Sequence, residues 1–169
     1  MGMMRKLLMG GTSGERTLVS TTTATTSTTS MPAMVMNVGA SYSVSWTGTI
    51  PSSNYSTYYL FEILGGYSNL SGMCYAKLEK SGAKRNLSIA LLGTSLYSAT
   101  VSVGDSIALE LRFKVNTVSS SSPYYTMDVE LYVNGTQAVS GTRPGTTDAG
   151  DGLRYYRNAA GTFIIKKLS

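Results

Sequence analysis

The sequence predicts an all-β protein: an antiparallel sandwich of two sheets carrying an extended N-terminal arm. Three observations predict it. Ser and Thr supply 45 of the 169 residues and Gly another 18; β-branched Thr fits a pleated surface, and Gly fits tight turns. Apolar and polar residues alternate in segment after segment, the period of a strand with one face on a core. No window repeats its apolar residues at helical spacing. Short strands at regular spacing, with one face wet, describe a sandwich. At this length one core suffices, without help from metals or disulfides.

The chain divides at residue 38, giving an arm over 1–38 and a sandwich domain over 39–169. The arm has few large apolar residues, and the tract from Thr17 to Ser30 is almost wholly Thr and Ser. Such composition builds no core of its own. Three forms are open to it: a flexible or O-glycosylated stalk, a first edge strand, or an arm that adds to a neighbour's sheet edge. The last is expected, since poly-Thr favours strands and carries no charge to keep edges apart. Its interface would be Thr17, Val19, Thr21, Thr23 and Thr25.

The strands of the body follow in order. In the segment Ser41–Trp46, Tyr42, Val44 and Trp46 alternate with serines. Weaker strands cover Tyr58–Leu64, Met73–Lys80, Leu87–Leu92 and Tyr97–Val101. The clearest spans Ser106–Val115: Ile107, Leu109, Leu111, Phe113 and Val115 share one face, and Glu110, Arg112 and Lys114 the other. Next, Thr126–Val133 turns Met127, Val129, Leu131 and Val133 inward and Asp128, Glu130 and Tyr132 outward. It closes on Asn134-Gly135, a type I′ hairpin signal because both central positions need positive φ. Thr136–Ser140 returns as its partner, and Gly161–Lys167 ends the chain. Turn clusters lie at 51–54, 65–66, 80–83, 93–95, 119–123 and 142–152.

This order of signals resembles the concanavalin A-like (laminin-G-like) jelly-roll domains. In that family a late hairpin reads as an alternating strand, then a strand closing on "vevyvNG". Here the matching residues are Ile107–Val115 and Val129–Gly135. Ser41–Trp46 with Tyr58–Ile63 looks like the family's early strand pair, and Gly161–Ile165 like its closing strand. The likeness covers roughly residues 39–167. Where many members carry a Trp-Tyr or Trp-His pair, this chain has Asp105-Ser106-Ile107. Short domains of this kind with a low-complexity arm and no signal peptide resemble virion proteins of tailed bacteriophages. That likeness implies a structural role, capsid decoration or tail-associated, with other virion proteins and copies of itself as partners in a homo-oligomer.

Composition excludes several chemistries. The chain has no histidine, so it lacks the commonest general base and cannot build a Ser-His-Asp relay. Its one cysteine, Cys74, permits neither an internal disulfide nor a cysteine zinc site, and reads as a small core residue. No cofactor is expected. The net charge of +5 is scattered along the chain, which suits contact with acidic neighbours rather than a nucleic-acid groove. The N-terminal apolar stretch, Leu7-Leu8-Met9, is too short for a signal peptide, and no run approaches a membrane span. A protein made in the host cytoplasm and carried in a virion is expected.

Candidate sites are few. Asp128 and Glu130 lie at i and i+2 on one strand face, the arrangement of paired carboxylates in retaining glycosidases. A third acid two residues earlier is missing, since that position is Thr126, so solvated strand carboxylates are expected, with Glu130 paired to Arg112. Asp148 and Asp151, on a Gly-permitted turn, are a candidate Ca²⁺ pair, though two carboxylates are few for a hard cation that takes about 6–8 oxygens. Asn-x-Ser/Thr sites occur at Asn54, Asn69, Asn86 and Asn134, close to what chance provides. The twelve tyrosines are the most suggestive feature. Tyr55, Tyr58, Tyr59, Tyr124, Tyr125, Tyr155 and Tyr156 are candidates for contact with a glycan or a protein partner, because a phenol joins a flat apolar face to a hydroxyl. The expected function is therefore non-enzymatic virion structure docked through the arm. The alternative is a carbohydrate-binding module that attaches to a surface glycan.

Overall fold

The computed structural model describes residues 14–25, 27–52, 55–65, 73–150 and 152–169. In chain order the strands are β1 (Arg16–Thr21), β2 (Thr29–Ser30), β3 (Ser41–Thr49), β4 (Thr57–Leu64), β5 (Cys74–Ser81) and β6 (Lys84–Leu91). There follow β7 (Thr94–Ser102), β8 (Ser106–Val118), β9 (Tyr125–Val133), β10 (Thr136–Gly145), β11 (Arg154–Tyr156) and β12 (Thr162–Lys167). They form two antiparallel sheets of six, ordered β1-β12-β3-β8-β9-β10 and β2-β11-β4-β5-β6-β7. The all-β sandwich expected from alternation is the fold observed.

The two inner faces supply the core. Tyr42, Val44 and Trp46 of β3 and Leu109, Leu111 and Phe113 of β8 are buried, as are Leu60, Phe61 and Ile63 of β4 and Leu87, Ile89 and Leu91 of β6. Phe61 and Phe163 stack across the sandwich with ring centroids 5.7 Å apart. The β9–β10 hairpin turns on Asn134 (φ 51°) and Gly135 (φ 78°), the left-handed pair its sequence requires. Cys74 is buried, and burial pushes its thiol pKa well up, so it behaves as a small apolar filler.

Residues 14–38 are not a separate unit. β1 pairs with β12 as the edge of the first sheet, β2 pairs with β11 as the edge of the second, and Met31, Met34 and Met36 lie in the core. Counting only branched and aromatic residues hides this, because methionine fills core gaps as well as they do. The segment read as an arm for a neighbour instead completes this chain's own sheets. Val19 and Leu18 pack against the core. Thr21 is half-buried, and Thr25 exchanges hydrogen bonds with the backbone of Arg157. Only Thr17 and Thr23 of the expected interface are exposed.

Arg157 holds that segment in place. Its side chain is fully buried, and its two terminal nitrogens donate to the carbonyls of Thr21 (3.0 Å), Thr22 (3.4 Å), Ala159 (2.8 Å) and Gly161 (2.5 Å). The guanidinium also lies 5.7 Å from the Phe163 ring centroid. Burial lowers its pKa, yet a guanidinium stays charged at any physiological pH. Among the described residues no helix is long and apolar enough to cross a membrane.

Candidate functional site

Antiparallel register turns scattered residues into rows on the outer face of the first sheet. One row reads Ser20, Ile164, Ser45, Glu110, Tyr132, Gln137 from β1 to β10. The next reads Thr17, Lys166, Ser43, Arg112, Glu130, Ser140. Side chains on β3 are short and those on β8, β9 and β12 are long, so the face sinks along β3. The result is a trough of roughly 530 Å³, with Ser43, Ser45, Thr47 and Ala108 low and Arg112, Tyr132 and Lys166 standing along its sides. Two smaller depressions continue it. One, towards Glu15 and Leu168, shares Ser43, Glu110, Arg112 and Lys166; the other, towards Asp128 and Ser140, shares Arg112.

Its centre is a fixed polar cluster. Arg112 donates through Nε (2.8 Å) and one terminal nitrogen (3.1 Å) to the two oxygens of Glu110, and Ser43 donates to the same carboxylate at 3.0 Å. The Arg112 guanidinium lies 5.1 Å from the Tyr132 ring centroid, and the Tyr132 hydroxyl donates to Glu130 at 3.2 Å. At the far side Lys166 pairs with Glu15 at 2.7 Å. The hydrogen bond from Arg112 is the main reason the Glu110 pKa falls below the usual carboxylate value. Glu110 thus favours its ionised, accepting form, and its bidentate grip fixes the plane of Arg112. The second terminal nitrogen of Arg112 has no acceptor among the described residues. Ordered donors, acceptors and hydroxyls in an open channel suit a polyhydroxylated chain lying across the strands.

The carboxylates read from the sequence fall beside this trough. Asp128 accepts from the Thr142 hydroxyl at 2.7 Å. Glu130 lies opposite Arg112 in register, but the ion pair of Arg112 is with Glu110, which is two residues away on the same strand. Asp148 accepts from the Tyr125 hydroxyl (3.0 Å) and from Gly150 N (3.1 Å), so it clamps a loop. Its proposed Ca²⁺ partner Asp151 lies outside the described residues, as do Asn54 and Asn69. Among the described residues no group of three or more potential metal ligands occurs. Asn86 accepts from Thr100, and Asn134 forms the hairpin turn.

The tyrosines divide. Tyr58 and Tyr125 are buried, Tyr155 packs on Phe163 with ring centroids 5.5 Å apart, and Tyr124 leans on the core. Tyr58 and Tyr125 therefore offer no ring face to a ligand, and Tyr124 and Tyr155 turn theirs partly onto the core. Tyr55 is exposed, and Tyr59 and Tyr156 are half-buried with their rings against each other. Sequence reading missed Ser43, Ser45, Thr47, Tyr132 and Lys166 as site residues, along with the pairing of Glu110 and Arg112. The one available signal was that Glu110, Arg112 and Lys114 share a wet face.

Glu62 belongs to the outer face of the second sheet, between Tyr75 of β5 and Tyr156 of β11, with Tyr59 on its own strand and Lys77 nearby. It is 8% exposed and has no hydrogen bond or ion pair among the described residues. Burial raises its pKa, and Lys77 opposes that only in part. A carboxyl whose folded pKa exceeds its unfolded one binds protons more tightly in the native state, so stability falls as pH rises between the two values. Glu62→Gln should remove that fall and raise stability at neutral pH. Denaturant unfolding of both proteins from mildly acidic to neutral pH checks this; parallel curves would refute it.

No protein-family model matches the chain, and no curated protein matches it in sequence. Solved structures similar in shape include the following three. Alginate lyase Aly36B, bound to an alginate trisaccharide, aligns with 90% of this chain and 78% of its own at 13% identity and a TM-score of 0.46. The galectin LEC-6 of Caenorhabditis elegans aligns with 88% of this chain and 94% of its own, at 12% identity and 0.43. A protein of unknown function from Shewanella oneidensis MR-1 aligns with 94% and 70%, at 18% identity and 0.40. At these identities the likeness is one of fold.

Proposed function

We propose that the protein is a carbohydrate-binding module that holds a polysaccharide along the outer face of its first sheet. The observation that carries this reading is the polar trough itself, with short hydroxyl side chains along β3 and the Arg112–Glu110 pair and Tyr132 beside them. Sugars need paired donors and acceptors already in place, because loosely held groups lose their gain to ordering entropy. Glu110 and Ser43 meet that need by fixing Arg112 before any ligand arrives. The trough's groups suit holding rather than cleaving, since its one lining carboxylate, Glu110, is already occupied by Arg112 and Ser43.

The test is a glycan array followed by calorimetry with the best ligand. Arg112→Ala should weaken binding about ten- to a hundredfold, the worth of a hydrogen bond to a charged group. Ser45→Phe should block the trough floor with similar effect. Unchanged affinity in both variants, or no bound glycan at all, refutes the reading.

A second reading, assembly with further copies of the chain, has one observation in its favour. Among the described residues β1 is an edge strand, paired on one side only, and it carries no charge from Thr17 to Thr21. The setting expected from the sequence, a virion, is supported by nothing in the fold.

A further inference from the structure

We propose a second, independent carbohydrate subsite in the cleft between Tyr55, Tyr156 and Asn158, taking an uncharged pyranose. This cleft of roughly 370 Å³ is lined by Ala24, Thr25, Tyr55, Tyr156 and Asn158, and shares no residue with the trough. None of its lining side chains is ionic, so a uronate or sulfated sugar would meet no counter-charge. Tyr55 is 67% exposed. Its ring meets the Tyr58 ring nearly at right angles, with centroids 5.6 Å apart, and otherwise presents apolar surface that a sugar's C–H face can cover with gain.

The polar element is oriented in advance. Asn158 Oδ1 accepts from the backbone N–H of Tyr59 at 2.6 Å, which aims the other end of the amide away from the strand. Its Nδ2 hydrogens have no acceptor among the described residues, so they are available to sugar hydroxyls. Tyr156 is set edge-on against Tyr59, with ring centroids 6.0 Å apart.

The walls are also fixed. One is the N-terminal segment and the other is the segment after β11. Thr25 N donates to Arg157 O at 2.7 Å, the Thr25 hydroxyl donates to the same oxygen at 2.9 Å, and Arg157 N donates back to that hydroxyl at 3.0 Å. Behind them the Arg157 guanidinium binds Thr21 and Thr22 on one wall and Ala159 and Gly161 on the other. A buried cation thus staples together the two sides of an open cleft. With a site on each sheet the chain is bivalent, which raises avidity for a polymer with no new contact.

Protein labelled with ¹⁵N at Asn and Arg, and at the Tyr rings with ¹³C, is titrated with uncharged gluco-, manno-, galacto- and xylo-oligosaccharides and with an oligouronate. At least one uncharged oligosaccharide should shift the Asn158 side-chain amide and the Tyr55 and Tyr156 rings, equally in wild type and in Arg112→Ala. Tyr55→Ala should abolish the Asn158 shift and leave any Arg112 shift intact. Three results overturn the subsite: no uncharged oligosaccharide moves Asn158, the oligouronate is preferred there, or Arg112→Ala removes the Asn158 response. Failure of the trough reading looks different, since it leaves Arg112 unmoved whatever Asn158 does.

Discussion

Arg157→Met destabilises the protein by about 2–4 kcal/mol and loosens residues 14–25 before the rest. The magnitude follows from what methionine leaves behind. It avoids the cost of burying a cation, which by itself would be a gain. It also strands the carbonyls of Thr21, Thr22, Ala159 and Gly161, which now share the guanidinium. A buried acceptor without a donor costs about 1–3 kcal/mol. The Thr21 and Thr22 carbonyls lie in part-buried surroundings and reach water most readily when the end of β1 loosens from β12. The Ala159 bond lies in buried surroundings, and its carbonyl has no such exit. Since Arg157 Nε is itself without a partner among the described residues, some of the native cost disappears in the variant, which keeps the loss below the sum of four orphaned groups.

Arg157→Lys should recover little of this. An ammonium concentrates three donors at one point, whereas the four carbonyls are spread along two segments that a planar fork can span. Urea unfolding gives the magnitude, and hydrogen exchange or limited proteolysis at residues 14–25 gives the location. A change within ±0.5 kcal/mol, the ordinary scatter of surface substitutions, would show that the staple contributes nothing.

The strands of the body were legible because each carries its own periodicity. Ser106–Val115 alternates without a break, and β8 begins at the residue where that pattern starts. β1 and β2 were harder: in β1 the apolar residues Leu18 and Val19 are adjacent rather than alternating, and β2 is only Thr29-Ser30, so neither shows a period of two. β11 is only Arg154–Tyr156, too short to show a period. Its neighbouring tyrosines were still separable in principle, since adjacent strand residues face opposite ways; Tyr155 does turn to the core and Tyr156 to the cleft. Of the trough, only the wet face shared by Glu110 and Arg112 was legible. Ser43, Arg112 and Lys166 lie on three strands far apart in the chain, and only the pairing of β3 with β8 and β12 sets them in a row. Register depends on which faces meet in three dimensions, and local sequence does not state that. Nothing in the sequence around Arg157 says that four carbonyls surround its side chain.

Gly161→Ala should cost about 3–5 kcal/mol, enough to leave a protein of ordinary stability marginal at physiological temperature. Two separate penalties combine. Gly161 has φ +146°, a region L side chains rarely adopt, and such backbone costs of order 1–3 kcal/mol. A Cβ there would also lie 2.7 Å from Trp46 Cε2 and Cζ2 and 2.8 Å from Thr47 O; forcing such a contact on a packed core costs about 1–3 kcal/mol. The indole has little room to retreat, because Trp46 is fully buried and Gly48 also closes on it, where an added Cβ would lie 2.6 Å from Cζ2. Gly48→Ala, which has no positive φ, should therefore cost less than Gly161→Ala. Adding Trp46→Phe to Gly161→Ala separates the two terms, since a smaller ring relieves the clash with the indole but neither the backbone strain nor the contact with Thr47 O. A further consequence ties this glycine to the staple. Gly161 O is one of the four acceptors of Arg157, so a backbone shift at 161 disturbs the same bonds that Arg157→Met removes. The two substitutions together should destabilise by less than the sum of each alone, as expected for residues sharing one network. Strict additivity in denaturant unfolding would mean that the indole pocket and the guanidinium staple are independent, and that the close approach at Gly161 serves packing alone.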